Sequence, residues 1–497
     1  MHRLARLDHA FVWHPFTQMR DWLKREPIVI VSGRGAVLRD AKGRKYLDGN
    51  SSIWTNLHGH NHPTINAAIE RQLNRIAHSS ALGLANEPAS LLAARLIGEA
   101  NRKCDSRFSI PEPKSKPLRK SEIGNRKLGK VFFSDDGSTA MEVALKLAYE
   151  FARRTGRGKK PGFLSLDGAY HGDTVGAVSL GHIGLFHKAY AGLLFKSDTV
   201  MSPYCYRCPF NRAKPERGDA REYRKCHWEC VDQVERKFAA QKKRDNPYAA
   251  FVVEPLIQGA AGMIPQPSGW LRGVAEITRG HGAQLIADEV MTGFGRTGLP
   301  STINDQPSTS LFASHHENVQ PDFLCVAKGM TGGYLPMAAT LTTRAVFDAF
   351  LGEYEEFKTF FHGHSYTANP LGAAASLANL DLLSSPASVR ARARLEKVLR
   401  DELESLWPLP NIGDVRRVGL IAGVELVRDW RTREPFDFRE RAGIRVCEAM
   451  ARRGVLTRPV GNAIVLMPPY STTPVQARKM VRTLAESVSE VFGTRRL

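Results

Sequence analysis

Short apolar runs separated by stretches of helical spacing give the chain its first visible organisation. Residues 131–133, 162–166, 249–253 and 284–287 are each compatible with a buried strand and too short for a helix. Their alternation with helical stretches predicts an α/β fold with a mainly parallel sheet between helices. Upstream, residues 36–49 read as two short strands around a turn that end in a polar loop. A helix is predicted from Pro63, where a proline in the first turn loses no hydrogen bond, with Ile65, Ala68, Ile69, Leu73 and Ile76 on one face. Another is predicted from Glu87 to Ala100. Past Gly372 come a long helix, further strands and helices, and a second small sheet that includes residues 419–426. No internal repeat interrupts this course, and residues 300–310 read as a surface insertion. A chain of 497 residues is long for one core. We expect a large domain over residues 81–365 and a smaller α+β domain assembled from residues 1–80 and 366–497.

Composition narrows the class without naming the chemistry. Hydrophobic residues at 42% and charged residues at 24% are ordinary for a soluble globular protein. Residues 1–9 hold no continuous apolar core, and no later segment approaches the length that spans a bilayer, so the expectation is a cytoplasmic protein without a membrane partner. The formal charge of +20 raises the question of nucleic acid. Residues 101–130 alone carry ten Lys or Arg against three acids, in a Pro-bearing segment without interleaved aromatics, so the excess reads as a solvated loop and not as a specific nucleic-acid face. Seven cysteines are too few for a disulfide scaffold at this length. Four of them fall as Cys205-x2-Cys208 and Cys226-x3-Cys230, close to the spacing of a structural zinc site; the competing reading is a set of reduced, partly buried thiols with no metal. Cys104, Cys325 and Cys447 stand alone.

The chemistry concentrates at strand ends. Lys328 closes the apolar run Phe323-Leu324-Cys325-Val326-Ala327 and opens Gly329-Met330-Thr331-Gly332-Gly333. Burial there disfavours the ammonium form, and a neutral amine is what attacks an aldehyde carbon to form an imine. Asp288 closes residues 283–287 in the same way. In open α/β sheets the C-terminal strand ends are where ligands bind. An imine-forming lysine and an aspartate able to keep a pyridine nitrogen protonated are the two protein groups that pyridoxal phosphate chemistry requires. Taken singly, Lys328 reads as a solvated lysine and Asp288 as a helix cap; the pair carries the signal. A phosphate cradle supports it. After the strand at 131–134, Asp135-Asp136-Gly137-Ser138-Thr139 leads into a helical run, which aims free backbone N–H groups at an anion. Tyr170-His171-Gly172-Asp173 follows the strand ending at Leu166, on the same edge; Tyr170 is placed to stack on a pyridine ring, or else is a core tyrosine beside a structural His171.

Together these segments resemble the class III, fold-type I pyridoxal-phosphate aminotransferases over nearly the whole chain. The run Leu285-Ile286-Ala287-Asp288-Glu289-Val290-Met291-Thr292-Gly293-Phe294-Gly295-Arg296-Thr297-Gly298 is highly specific to that class. The resemblance implies a seven-stranded, mainly parallel sheet and a homodimer with shared active sites. Lys328 would hold the cofactor as an imine and Asp288 its pyridine nitrogen; Gly137 and Ser138 match the phosphate-binding pair, and Tyr170 the ring-stacking position. Ser365, in His362-Gly363-His364-Ser365-Tyr366, matches a hydroxyl that reaches the phosphate held by the neighbouring subunit. Trp54, Tyr170, Gly363 and Arg458 match substrate contacts, the arginine holding the carboxylate of a keto acid.

One branch is resembled further. Trp13-His14-Pro15-Phe16-Thr17-Gln18-Met19, Asp48-Gly49-Asn50-Ser51-Ser52-Ile53-Trp54 and His58-Gly59-His60-Asn61-His62-Pro63 are similar to the branch that aminates 8-amino-7-oxononanoate to 7,8-diaminononanoate on the route to biotin. S-adenosylmethionine or lysine would be the donor. Phe16, Ile53 and Val465 replace a tyrosine, a tryptophan and a tyrosine found in part of that branch, which leaves the donor open. Two rivals stand beside this reading: a broad ω-amino acid or diamine aminotransferase, and a zinc-bearing nucleic-acid-binding protein that would leave Lys328 and Asp288 unexplained.

Overall fold

A computed structural model describes residues 1–102, 126–243, 246–298 and 310–493. The basic segment up to residue 125, Cys104 with it, and nearly all of the insertion expected at 300–310 lie outside the described residues. The central layer is a sheet of seven strands: β1 (Leu128–Ser134), β2 (Gly162–Leu166), β3 (Asp198–Val200), β4 (Tyr248–Val253), β5 (Gln284–Asp288), β6 (Phe323–Val326) and β7 (Ala338–Thr343). Their order is β1-β7-β6-β5-β4-β2-β3, and only β7 runs against the others.

Packing on both faces explains why these strands read as unbroken apolar runs. Every residue of β4, β6 and β7 is buried. Along β5 the side chains alternate between faces: Ile286 packs with the helix Gly137–Arg154, while Leu285 and Ala287 join cores on the opposite side, where Trp270 of the helix Trp270–Gly280 sits against Leu285. The parallel register sets Asp288 opposite Cys325, so the chain leaving β5 and the chain leaving β6 emerge side by side.

The two ends of the chain share a sheet. Ile30–Arg34, Val37–Asp40 and Lys45–Asp48 form an antiparallel meander, and Val455–Leu456 pairs parallel to its last strand. The last two strands of the meander are those expected at 36–49; Ile30–Arg34 was not foreseen, because this edge strand is mostly exposed and shows no apolar alternation. A third sheet contains Ile412–Val418, Ile421–Asp429, Pro459–Val460 and Ala463–Leu466, with Glu434–Pro435 paired to its second strand. The helix Glu87–Ala100 has the predicted bounds, with Asn86 capping it through the Ala89 N–H and Leu92, Leu96 and Ala100 buried at a spacing of four. The helix from Pro63 ends at Leu73, earlier than the pattern suggested. Leu73 and Ile76 are 56% and 46% exposed, so only Ile65, Ala68 and partly Ile69 serve its core face. No helix among the described residues is long and apolar enough to cross a membrane.

Candidate functional site

The C-terminal strand ends open into a cavity of about 720 Å³ lined by Gly137, Ser138, Tyr170, Asp288, Lys328 and Trp54, among others. Six residues singled out from sequence, spread over positions 54 to 328, thus meet in one place.

Lys328 leaves β6 through a left-handed backbone, φ 41°, at the start of a 3-10 turn over Lys328–Thr331. A non-glycine residue in that region carries strain that persists only where its surroundings hold it, as at functional sites. Burial pushes the lysine pKa below its ordinary value, and the carboxylates of Asp288 and Glu254 partly oppose the shift. Its Nζ lies 4.9 Å from the centroid of the Trp54 ring.

Trp54 arrives on a stranger piece of backbone. Ser51, Ser52, Ile53 and Trp54 have φ of 46°, 49°, 70° and 71°, a left-handed turn built entirely from L-residues with side chains. Such a turn costs roughly 1–2 kcal/mol per residue, and its polar contacts show what offsets the cost. Asp48 accepts the N–H groups of Asn50 and Ser52, the Ser52 hydroxyl and the His60 ring. The Ser51 hydroxyl donates to the Met467 carbonyl at 2.6 Å, and the Trp54 indole N–H to Asn50 at 2.8 Å. Val465 is buried in the apolar cluster around Trp54 with Met291 and Ile257.

The anion cradle is the first turn of the helix Gly137–Arg154. Asp136 and Thr139 cap it reciprocally, which leaves the N–H groups of Gly137 and Ser138 ahead of the first intrahelical bond. A Cβ on residue 137 would come within 2.6 Å of Val290, so glycine alone fits there. The Ser138 hydroxyl is within 2.7 Å of the Thr174 hydroxyl and accepts the Thr174 N–H, tying the cradle to the loop that carries Tyr170. Tyr170 donates to Asp173 at 2.6 Å, and burial pushes its phenol pKa upward.

Two participants escaped the sequence reading. His171 Nδ1 lies 2.7 Å from Asp288 Oδ2, with the imidazole fully enclosed and its Nε2 unpartnered among the described residues. The other Asp288 oxygen accepts the Val290 N–H at 3.1 Å. By sequence His171 reads only as a structural histidine, and nothing local signals its partner 117 positions away. Glu254 directly follows β4, and the strand-end rule that picked out Asp288 would have found it too. It lines the cavity, accepts the Gly259 N–H with one oxygen and has no partner for the other among the described residues, and burial raises its pKa to about 7.

Other expected residues stand elsewhere. Gly363 and Ser365 are exposed and absent from the cavity lining of the single chain, the Ser365 carbonyl being 3.0 Å from the His78 ring. Arg458 is also exposed, on the link between Val455–Leu456 and Pro459–Val460. Phe16 is 59% exposed at the mouth, its ring 6.5 Å from that of Tyr170, and Ile53 is 45% exposed. Cys205, Cys208, Cys226 and Cys230 line one small pocket that shares no residue with this cavity's lining, and no trio of His, Cys, Asp or Glu among the described residues is arranged as a metal site.

Comparison with known proteins agrees with this geometry. The aminotransferase class-III family matches residues 19–488. The chain is 45% identical to the adenosylmethionine-8-amino-7-oxononanoate aminotransferase of Geobacter sulfurreducens, over 98% of this chain and 97% of that one. The crystal structure of the enzyme of the same name from Methanocaldococcus jannaschii superposes with a TM-score of 0.83 at 36% identity, covering 98% of both chains. A PLP-bound amine transaminase from an uncultivated Pseudomonas species superposes with a TM-score of 0.80 at 32% identity, covering 96% of this chain and 98% of its own.

Proposed function

The chain belongs to the class III aminotransferases, and from that premise we propose that it aminates 8-amino-7-oxononanoate to 7,8-diaminononanoate with S-adenosylmethionine as donor. The observation that carries the substrate is the likeness along nearly the full length to enzymes named for that reaction. It is joined by the N-terminal motifs, which place Trp54 over Lys328.

The enzyme depends on pyridoxal phosphate, and the cavity suits that group. A lysine whose pKa burial lowers, a carboxylate held by an imidazole, a helix N-terminus with no room for a side chain at Gly137, and the Tyr170 side chain all converge there. When bound, the cofactor supplies an aldehyde carbon for amines and a protonated pyridine that withdraws electrons. The protein's contributions follow. Gly137 and Ser138 would hold the phosphate with backbone N–H groups, and Asp288 would keep the ring nitrogen protonated while His171 fixes the carboxylate's orientation. Lys328 would hold the cofactor's aldehyde carbon through Nζ, and the same amine would move the proton at the amine-bearing carbon of the donor and at the corresponding carbon of the acceptor. Trp54 and Tyr170 wall the substrate against water. Arg458 anchors the keto-acid carboxylate through charge-assisted bonds, its exposed side chain turning inward on binding.

A second copy completes the site with its Ser365 and Gly363. The reading is supported by exposed apolar side chains next to Gly363 and Ser365 in sequence, Phe361 at 72% and Tyr366 at 62%, which a partner subunit would cover.

The test is a donor panel. Purified enzyme with 8-amino-7-oxononanoate should form 7,8-diaminononanoate with S-adenosylmethionine and less with lysine, read by mass spectrometry. The likeness to an amine transaminase keeps a second reading in view, a broad ω-amino acid or diamine aminotransferase. Turnover of putrescine or β-alanine with pyruvate, and none of 8-amino-7-oxononanoate, would establish that reading instead.

A further inference from the structure

We propose that Cys205, Cys208, Cys226 and Cys230 bind one zinc ion as four thiolates, a structural site that shares no lining residue with the catalytic cavity. All four line one pocket of about 10 Å³, the space of a single small guest. Cys205 opens the 3-10 turn Cys205–Arg207 and Cys208 directly follows it, with the Asn211 N–H donating to the Cys208 carbonyl at 3.1 Å. Cys230 lies in the first turn of the helix Glu229–Lys243, where the helix dipole favours negative charge.

The surroundings suit the charge that results. Binding converts four thiols and Zn²⁺ into a dianionic tetrathiolate and four released protons. Arg224 lines the same pocket, its guanidinium 4.4 Å from the Trp228 ring centroid and its Nε buried without a partner among the described residues. Its positive charge stands beside the dianion.

The segment needs a staple. Between β3 and the helix Glu229–Lys243 the only regular structure is a three-residue 3-10 turn and the four-residue helix Ala220–Tyr223. Its own core is three buried residues, Cys205, Tyr206 and Ala220. A loop of that length with so small a core is uncommon unless something other than apolar burial orders it. Part of that order comes from outside, since Arg207 donates to Glu425 at 2.7 Å and Arg217 to the Ile412 carbonyl at 2.6 Å. The sulfurs ring the pocket without yet forming a metal site. Binding requires the side chains to reorient about their Cα–Cβ bonds, and the half-buried Cys208 and Cys226 are the freer pair.

Elemental analysis of the full-length holoenzyme, purified under reductant without chelator from zinc-supplemented culture, tests this. The expected result is one zinc per chain that survives gel filtration and is released by a mercurial thiol reagent. The melting temperature should fall on release. Cys208→Ser and Cys226→Ser, checked for retained cofactor, should each lower retained zinc roughly tenfold or more. Reconstitution of reduced, metal-stripped wild type with Co²⁺ should produce thiolate-to-cobalt charge-transfer bands, a readout independent of how the variants fold. Freely titrating thiols and no zinc after reconstitution would overturn the proposal, as would iron in place of zinc, a disulfide among the four in a non-reduced peptide map, or unchanged zinc in both variants.

Discussion

Replacing His171 isolates the contact that positions the cofactor's proton partner. The imidazole donates from Nδ1 to Asp288 Oδ2 at 2.7 Å, short enough for a charge-assisted bond, and both groups are buried. In His171→Ala the carboxylate keeps only the Val290 N–H at 3.1 Å. A hydrogen bond to a charged group contributes about 1.5–3 kcal/mol, which as a barrier is roughly 10- to 150-fold in rate. Because Asp288 serves both half-reactions, both should slow by similar factors with little change in KM. Truncation also leaves a hole, so His171→Asn is the paired variant: its amide nitrogen stands near where Nδ1 stood and should recover much of the rate. Stopped-flow absorbance of each half-reaction, with cofactor content measured in parallel, gives the numbers. Equal rates in the alanine and asparagine variants, or a wild-type kcat in His171→Ala, would refute the positioning argument and leave His171 as packing.

Further outcomes follow from the same site. Lys328→Ala should abolish turnover and the visible imine absorbance; more than trace transaminase activity would remove Lys328 from its role. Arg458→Ala should slow only the keto-acid half-reaction, by roughly ten- to hundredfold in apparent affinity for a lost charge-assisted pair, and equal slowing of both halves would make it a structural residue. Mixing Lys328→Ala subunits with Ser365→Glu subunits should restore activity after verified exchange, since a mixed dimer holds one site free of both changes; no recovery argues against a shared site. Glu254 has its pKa raised by burial from 4.5 to about 7. The folded state therefore binds the extra proton, and stability is lost as pH rises from about 4.5 to 7 and stays low above. Glu254→Gln should raise the melting temperature at pH 8 and do so less at pH 5, and a uniform shift at both would contradict the assignment.

What the sequence determined by itself was the part of the site that obeys local rules. Strands covered on both faces must be apolar throughout, so β5 and β6 announced themselves as runs, and the polar residue ending each, Asp288 or Lys328, stood out against them. The cradle was legible for the same reason, because a cap, a glycine and a helical run are consecutive. Resemblance then supplied roles that no periodicity could.

Only the tertiary structure decided which groups face each other. His171 follows β2 and Asp288 ends β5; they meet because the sheet order sets β2 and β5 on either side of β4, a long-range pairing with no local trace. The left-handed turn at Ser51–Trp54 runs against the preference of every residue in it and is held by the neighbouring Asp48 and His60 and by the Met467 carbonyl, 416 positions from Ser51. The placement of Ser365 and Arg458 on the surface of the single chain belongs to the same level, since the burial of a side chain depends on everything packed around it, in its own chain or in the next.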